Sequence, residues 1–548
     1  MIDRPDSGMR RAPRRRLRSA LVALGALGLG SLGTVVPGSP AGAATITVCA
    51  SGCDHTSIAA AVTAAASGDT VTIAAGTYTE TTQIVVSGKA LTIEGAGSDV
   101  TTIQSTQNSS VGTIRINTAN AASFGGEISL SGVTVRTTGA SGGHHSGVYV
   151  NSSHANGGPV TFDDVALIGK GSPNNNESGL YLSGSGGVHE PHVTFTDGQI
   201  SGTAGNGLLG EDWRGGATFT GSTFVQLGTF QTVLYHHMVN NPADGFEEQT
   251  PGAWTFHDND ISGSLALAQF NSTVRHGHGP LIVTDNRFTN TRLGQTAVRF
   301  QDRDGTSVTV TGNTFSSTYN NPNGVVIDHT SGVVSPIPVT FDVSENSFTG
   351  YARAVWTGAG RTRIGTVHHN RFVDLIGANR GIEIGGSSTI DASGNWWGCN
   401  DGPTGTDLHC ATAGGAPSAL PGLTVDNWIV ASAASTPSST HPGGSTTVTA
   451  DLSHLNTGDP VTLPAVFEGL DVAYAADSGS ILPATGSLSG GVAPDATFTA
   501  ATLPATVTVT IDGETIELPI GEAPAPDTIG GTVTATVGGA PIQGIQVR

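Results

Sequence analysis

The sequence feature that most constrains the fold is an eight-residue box that recurs through the middle of the chain. Each copy alternates apolar and polar residues, passes through a turn and ends on a large apolar residue; clear copies lie at 281–288, 308–315, 341–348 and 365–372. The alternation predicts short β-strands. Variable spacing around a fixed box indicates one structural coil that repeats with loops of different length.

Asparagine recurs at one position in the turn of this box, at Asn259, Asn286, Asn313, Asn346, Asn370 and Asn395. Strands of neighbouring coils lie about 4.8 Å apart, so these side chains should stack in a ladder. A second short strand precedes each box, for example at 147–150, 179–182 and 324–327, which gives three strands per coil. The pattern predicts an all-β chain whose main domain is a right-handed parallel β-helix of about twelve coils.

The sequence resembles the pectin lyase-like superfamily of β-helix proteins. The asparagine turn looks like the asparagine ladder of that family, and residues 56–69, 71–80 and 91–95 look like its capping helix and first coils. Asn395-Trp-Trp-Gly398 with Gly402-Pro403 resembles the end of the β-helix in many bacterial surface proteins. The resemblance covers about residues 45–430 and implies the fold. It does not choose a function, because lyases, hydrolases, esterases, epimerases and adhesins share this scaffold.

Segments on either side of the repeat predict export and further β-domains. A basic run, the apolar stretch 20–36 and Ala41-Gly42-Ala43 have the pattern of a secretory signal peptide over residues 1–43. No later segment is apolar enough to span a bilayer, so we expect an extracellular protein, secreted or held at the cell surface. A linker is predicted at 431–445 and an immunoglobulin-like β-sandwich at 446–520. Residues 527–548 resemble the start of a carboxypeptidase regulatory-like β-domain that the chain truncates.

The four cysteines form two local pairs, Cys49 with Cys53 and Cys399 with Cys410. In an exported protein, local pairs predict disulfides, here one at each end of the β-helix. Each pair has one histidine nearby, so no metal site is predicted. We also expect Trp396 and Trp397 to cover the C-terminal end of the core.

The net charge of −20 excludes some classes of partner. An acidic chain has no basic surface with which to displace phosphate counterions, so nucleic acid is not an expected partner. Residues 302–305, Asp-Arg-Asp-Gly, match a fragment of a calcium loop without its distal glutamate. No cofactor is therefore predicted, and calcium remains unsupported.

Candidate site residues come from the strand that precedes the box, because in this superfamily that strand lines an open groove. Taking alternate residues as outward gives carboxylates, donors and aromatic rings, as a sugar-binding groove requires. The catalytic candidates are Glu211, His236, Arg299 and Asp328, and the substrate-binding candidates are Tyr149, Tyr181, Gln301, Trp356 and Glu383. Arginine carries a permanent charge and a fork of donors that suits a sugar carboxylate.

Two functions remain open at this point. The protein is expected to bind an extracellular polysaccharide along the groove without turnover; the alternative is a polysaccharide lyase or glycoside hydrolase that uses the mid-groove carboxylates, histidine and arginine. The surface-type ending and the β-sandwich favour binding. So does the absence from the sequence of the Asp-Phe-Ile-Phe-Gly type signature of pectin methylesterases and of a clear calcium-aspartate set like that of the pectate lyases. A polar stripe on a solenoid can also be a solvated face alone.

Overall fold

A computed structural model describes residues 42–524 except for 107–111, 119–125, 138–144, 153–157, 171–176, 185–189, 226–231, 239–250, 270–278, 290–295, 302–305, 320–321, 329–337, 359–362, 377–379, 386–387, 405–409 and 414–421. The predicted signal peptide, apart from its last two residues, and the predicted segment 527–548 lie outside the described residues. So does the calcium-loop fragment at 302–305.

In the residues that the structure describes, the main domain consists of short strands and one α-helix, α1 (Ile58–Ala64). Its strands are β1 (Thr45–Val48), β2 (Thr70–Ile73), β3 (Gly76–Glu80), β4 (Ile84–Ser87), β5 (Leu91–Gly95), β6 (Thr101–Ser105), β7 (Ile114–Asn117), β8 (Ile128–Arg136), β9 (His145–Ser152), β10 (Val160–Ile168), β11 (Glu177–Gly184), β12 (Val193–Thr196), β13 (Gln199–Ser201), β14 (Asn206–Glu211), β15 (Ala217–Thr220), β16 (Thr223–Val225), β17 (Thr232–Met238), β18 (Trp254–His257), β19 (Asp260–Ser262), β20 (Ser264–Gln269), β21 (Leu281–Thr284), β22 (Arg287–Thr289), β23 (Thr296–Gln301), β24 (Ser307–Thr311), β25 (Thr314–Ser316), β26 (Asn323–Asp328), β27 (Val339–Ser344), β28 (Ser347–Thr349), β29 (Arg353–Thr357), β30 (Arg363–His368), β31 (Arg371–Val373), β32 (Arg380–Ile384), β33 (Ser388–Asp391), β34 (Thr412–Ala413) and β35 (Leu423–Thr424).

A smaller C-terminal domain follows. Its strands are β36 (Ile429–Thr436), β37 (Ser439–Thr440), β38 (Ser445–Leu455), β39 (Asp471–Ala476), β40 (Ser480–Leu482), β41 (Thr485–Ser487), β42 (Ala496–Thr499), β43 (Ala505–Ile511) and β44 (Glu514–Glu522). A 3₁₀ turn at Ala465–Phe467 belongs to this domain, and another at Gly402–Thr404 lies between β33 and β34 of the main domain.

Strand pairing confirms the right-handed parallel β-helix. A twelve-stranded sheet runs from β4 to β34 and is called the front sheet here. The other strands pair in parallel along the same axis, each with its counterpart in the next coil, as β21 does with β24 and β22 with β25. The twelve strands of the front sheet match the expected number of coils.

The core is a column of apolar side chains stacked coil upon coil. Val148, Leu180, Leu208, Val298 and Ile327 are 0% exposed. The box-ending phenylalanines stack as well: the rings of Phe288 and Phe315, and those of Phe315 and Phe348, have centroids 4.6 Å apart. The period-two pattern thus fills the interior with repeats of the same residue type.

The predicted asparagine ladder is confirmed. Asn286 donates from Nδ2 to Oδ1 of Asn313 at 3.0 Å, and Asn313 donates to Asn346 at 2.9 Å. The same bond joins Asn259 to Asn286, Asn346 to Asn370 and Asn370 to Asn395. All six are at most 2% exposed. Buried amides that satisfy one another therefore hold the turns in register.

The residue before each ladder asparagine takes a left-handed backbone conformation. Asp258, Asp285 and Glu345 have φ of 53°, 59° and 59°, and Gly312 has φ of 73°. This conformation favours glycine and tolerates short polar residues. It explains why the box carries Asp, Gly or a similar residue just before its asparagine.

Both ends of the β-helix are closed, and both predicted disulfides, Cys49–Cys53 and Cys399–Cys410, are present. Helix α1 covers the first coil with Ile58 and Val62. Its N-terminus is capped from a distant strand, since the Glu80 carboxylate accepts hydrogen bonds from Ser57 Oγ at 2.7 Å and from the Ile58 N–H at 2.6 Å. A buried acid at a helix N-terminus is electrostatically favourable.

The C-terminal domain is a β-sandwich of a four-stranded and a five-stranded sheet. The predicted linker at 431–445 is wrong, because β36 pairs antiparallel with β38 and so forms part of the sandwich. The serine-, threonine- and proline-rich segment resembles a linker in composition, yet Ala431 is buried in the sandwich core and Ala433 is partly buried against it.

The sandwich packs directly on the last coils. The expectation that both tryptophans cover the β-helix core holds for Trp397, whereas Trp396 packs in the sandwich core with Ile429 and Phe498.

Candidate functional site

Two columns of residues stand on the outer face of the front sheet, one residue per coil. Outer column 1, in register along the sheet, consists of Val85, Arg115, Tyr149, Tyr181, Leu209, Tyr235, Ala266, Arg299, Val326, Trp356 and Glu383. Outer column 2, two residues further along each strand, includes Asn117, Asn151, Ser183, Glu211 and His237, and further on Gln301 and Asp328.

Most predicted site residues fall in these columns. Tyr149, Tyr181, Arg299, Trp356 and Glu383 lie in outer column 1, and Glu211, Gln301 and Asp328 lie in outer column 2. The face is therefore the one that strand alternation indicated.

His236 is a predicted site residue that lies in neither outer column. Its backbone pairs with Gly210 and Leu267, in line with the core column, and Tyr235 occupies the outer position. The side chain of His236 lies outside the described part of the structure. Tyr235 could have been found from the sequence, because it holds the same place in its strand as Tyr149 and Tyr181.

The tyrosines form a small cluster outside the main core. Tyr149 and Tyr181 are only 8% and 6% exposed, with ring centroids 4.9 Å apart. Leu209 and the half-buried Tyr235 complete the cluster. The Arg115 guanidinium lies over the Tyr149 ring, 5.6 Å from its centroid. Tyr149 and Tyr181 are thus packed side chains rather than the exposed platforms that a sugar ring would stack on.

The Glu211 carboxylate interacts with two of these tyrosines, Tyr181 and Tyr235. The Tyr181 hydroxyl donates a hydrogen bond to its carboxylate. Burial, reinforced by this bond, raises the pKa of Tyr181 far above its usual value, so the hydroxyl stays protonated. Burial also raises the pKa of Tyr235 to about 12, against the lowering effect of Arg299.

Arg299, Gln301 and Asp328 form a hydrogen-bonded group across two adjacent coils. Arg299 Nη2 lies 3.1 Å from Asp328 Oδ2, and Gln301 Nε2 donates to the same oxygen at 3.2 Å. The Arg299 side chain is 44% exposed and that of Asp328 19%. Asp328 thus holds the arginine in place while leaving part of the guanidinium open to a ligand.

Trp356 lies at the C-terminal end of the same column, among charged groups. The Arg353 guanidinium lies 5.4 Å from the Trp356 ring centroid. Arg353 Nε and Arg380 Nη1 contact Glu383 Oε2 at 2.5 and 2.6 Å. Burial alone would raise the pKa of Glu383, but the two arginines outweigh it and hold the pKa below its usual value. A half-buried indole flanked by fixed charges presents both an apolar surface and hydrogen-bonding groups.

One buried acid near Glu211 was missed from the sequence. Glu190 is 6% exposed and accepts a hydrogen bond from the Arg214 backbone N–H at 3.2 Å. Burial is the main cause that raises the pKa of Glu190 to about 7, although Arg214 lowers it. Glu190 lies just before β12 and outside the repeated box, so no periodic signal could have found it.

Neither a metal centre nor a membrane span emerges in the described ranges. No group of three or more His, Cys, Asp or Glu side chains there could hold a metal ion. Within the same part of the chain, no helix has the length and apolar character needed to cross a bilayer.

The parallel sheets and the asparagine ladder define a right-handed parallel β-helix protein. No protein family profile matches the sequence, and no curated protein does.

Among solved structures, the chain is similar to the pectin methylesterase PemA from Erwinia chrysanthemi, with 16% identity, a TM-score of 0.25 and coverage of 59% of this chain and 82% of that one. It is also similar to the catalytic unit of a GH87 α-1,3-glucanase from Streptomyces thermodiastaticus, with 15% identity, a TM-score of 0.35 and coverage of 65% and 70%. A pectin methylesterase from carrot has 14% identity, a TM-score of 0.23 and coverage of 71% and 89%. These distant likenesses carry no argument about the site.

Proposed function

We propose that the protein binds an extracellular polysaccharide along the outer face of the front sheet. The observation that carries this proposal is the single line of Tyr235, Arg299 and Trp356 in outer column 1. Four strand steps separate Tyr235 from Trp356, or about 19 Å at ordinary strand spacing. That length suits several sugar residues of a chain better than a small molecule.

The charges on this face support the same proposal. Arg299 is partly exposed and fixed by Asp328, and Trp356 offers an indole beside Arg353 and Glu383. A binding groove needs apolar surface together with a few well-placed polar groups.

The enzyme alternative, a lyase or hydrolase, has weaker support. Glu211 and Asp328 are four strand steps apart in outer column 2, so their backbones lie about 19 Å from each other. A two-carboxylate glycosidase needs a separation of about 5 to 9.5 Å. This pair therefore cannot flank one glycosidic bond without another carboxylate. In a lyase, Arg299 would be the group that neutralises the uronate carboxylate.

The proposal is tested by glycan-array binding with pectin and α-1,3-glucan among the probes. We expect Trp356→Ala to weaken binding about tenfold, as loss of a central aromatic contact does. Ile364→Ala is the matched control, because Ile364 is an exposed apolar residue, 46% exposed, on a strand outside the front sheet. Equal affinity of the two variants, or no polysaccharide binding by the unaltered protein, would reject the proposal.

A parallel incubation separates binding from turnover. New reducing ends or the ultraviolet absorbance of unsaturated uronates would show an enzyme, and Arg299→Gln should then abolish the activity. Stable binding with neither product supports a binding protein.

A further inference from the structure

The turn at residues 211–215 follows the end of β14, and the buried acid Glu190 lies against it. Glu190 Oε2 accepts from the Arg214 N–H at 3.2 Å. Its Oε1 lies 2.7 Å from the point where a Cβ on Gly184 would stand, and the Asp212 carbonyl oxygen lies 2.2 Å from that same point. The Glu190 carboxyl and the Asp212 backbone therefore share one small space, which only glycine at position 184 leaves open.

Charged side chains lie around this space and act on the Glu190 carboxyl. Among the described residues, Arg214 and Asp212 are the charged groups that act on the Glu190 carboxyl. They are 9% and 5% exposed. His192, on the same segment as Glu190, has Nδ1 3.1 Å from the Gly215 carbonyl oxygen. Ionising Glu190 therefore places a charge at a position that is only 6% exposed, where the loss of hydration outweighs the attraction of Arg214.

Another buried acid, Glu177, offers a comparison, because several groups donate hydrogen bonds to its carboxylate. It is 1% exposed and accepts hydrogen bonds from the backbone N–H groups of Lys170 at 2.6 Å and Ala204 at 2.9 Å, and from the Thr137 hydroxyl. Three donors thus contact the Glu177 carboxylate. The Glu190 carboxyl is held instead by two backbone N–H groups, its own and that of Arg214.

We propose that Glu190 is a proton-operated control point for the groove at Glu211. This regulation rests on the proposed polysaccharide site. When Glu190 is protonated, it fits beside Asp212 and the turn takes the arrangement described. When it is ionised, burial penalises the charge, and the turn rearranges to give the carboxylate access to water, which moves Glu211 and the buried Trp213 with it. This movement weakens the contact of Glu211 with the Tyr181 hydroxyl and lowers the affinity of the groove for polysaccharide.

The position of the proton equilibrium supports this inference. Burial, and to a smaller extent Asp212, raises the pKa of Glu190 to about 7, even though two backbone hydrogen bonds and Arg214 lower it. The proton therefore leaves in the neutral range, where a modest change of environment alters its occupancy.

The turn itself supplies a reporter that needs no ligand. Trp213 is 1% exposed and donates from Nε1 to the Gly216 carbonyl at 3.1 Å. With 5-fluorotryptophan in all 6 positions, its ¹⁹F resonance can be assigned with a Trp213→Phe variant. We expect this resonance to titrate with a midpoint at pH about 7 in the unaltered protein and to stay constant in Glu190→Gln.

Two control variants isolate the responsible group. Glu177→Gln removes another buried acid, and His192→Gln removes the neighbouring imidazole, so the titration should persist in both. A Trp213 resonance that does not move between about pH 5 and about pH 9 overturns the proposal even if Glu190→Gln fails to fold. A titration that survives in Glu190→Gln, or disappears in His192→Gln, also overturns it.

Binding of soluble polygalacturonate and of an α-1,3-gluco-oligosaccharide then tests the link to the groove. We expect at least about fivefold tighter binding at pH 6 than at pH 8 for whichever probe binds. Binding that is equally tight at both values, with Trp213 titrating, overturns the coupling. A titrating Trp213 without binding of any polysaccharide rejects the proposed function and leaves the proton equilibrium intact.

Discussion

Single residues in this protein act mainly through repetition. A ladder asparagine, a left-handed residue before it and a large apolar residue two positions after it recur coil after coil, so the asparagines and most of the rings stack on their own kind. The buried polar groups outside this repeat behave differently, because each must find individual partners. Glu80, Glu177 and Glu190 show the range, from a helix cap through a well-bonded carboxylate to an acid with a raised pKa.

The first residue-scale prediction concerns the ladder. Asn313→Ala removes a buried amide and leaves the Asn286 Nδ2 donor and the Val283 carbonyl without this partner. Unfolding in urea should show a loss of ~1–3 kcal/mol. Thr314→Ala, at the exposed neighbouring position, is the control and should change stability little. A similar loss in both variants would contradict the structural role of the ladder.

The second residue-scale prediction concerns pH and Glu190. Its pKa is raised from 4.5 to about 7 in the folded chain, so the folded state holds the proton more tightly than the unfolded state. Stability should therefore fall as pH rises from about 4.5 to about 7, by up to roughly 3 kcal/mol, and then level off. Thermal unfolding of Glu190→Gln should lack this slope. A slope unchanged by the substitution would count against the burial of this acid.

At the scale of elements, short strands gain stability from closure at both ends. Three-residue strands such as β22 and β25 pair only with their counterparts in adjacent coils, so an open end would expose unpaired groups. Helix α1 and the Cys49–Cys53 disulfide close one end, and the Cys399–Cys410 disulfide lies at the other.

The element-scale prediction compares the two disulfides. Cys399 and Cys410 are separated by 11 residues, whereas Cys49 and Cys53 are separated by 4. Replacing both cysteines of a pair by serine should cost about 3 kcal/mol for the longer loop and about 2 kcal/mol for the shorter one, from chain entropy. Calorimetry of the two double variants measures the difference. A larger loss at the short loop would show that chain entropy is not the main term.

For the whole molecule, the sandwich is a fixed cap rather than a tethered module. The turn between β43 and β44 contains Asp512, with φ of 53°, and Gly513, as two-residue hairpins require. Arg371, on the last coils of the β-helix, forms a two-pronged contact with the Asp512 carboxylate, and Trp396 Nε1 donates to it at 3.1 Å.

The prediction at this scale is that the two domains unfold together. Asp512→Ala leaves Arg371, with a side chain 15% exposed, beside no carboxylate. The cost should be about 3 kcal/mol, at the low end for a broken buried pair because the site is not fully dry. Differential scanning calorimetry should then resolve two transitions in place of one. Asp471→Ala, at an exposed position on β39, should keep a single transition.

The sequence by itself determined the features that repeat. The β-helix, the inward column through Val148 and Leu180, the ladder and the local disulfides follow from period-two alternation, from one asparagine position and from cysteine spacing. In a solenoid each coil contacts only its neighbours, so local pattern and tertiary contact carry the same information. For the same reason the outer positions of Arg299, Trp356 and Asp328 could be predicted.

Only the tertiary structure decided what depends on non-repeating contacts. Tyr149 and Tyr181 are outward in register yet buried by packing with Leu209 and Tyr235. The segment at 431–445 has the composition of a linker, but Ala431 and Ala433 pack into the sandwich core. Glu190 becomes functional in our proposal through burial beside Asp212. The physical reason is the same in each case: burial and electrostatic environment come from residues far apart in the chain, and such contacts leave no periodic trace in the sequence.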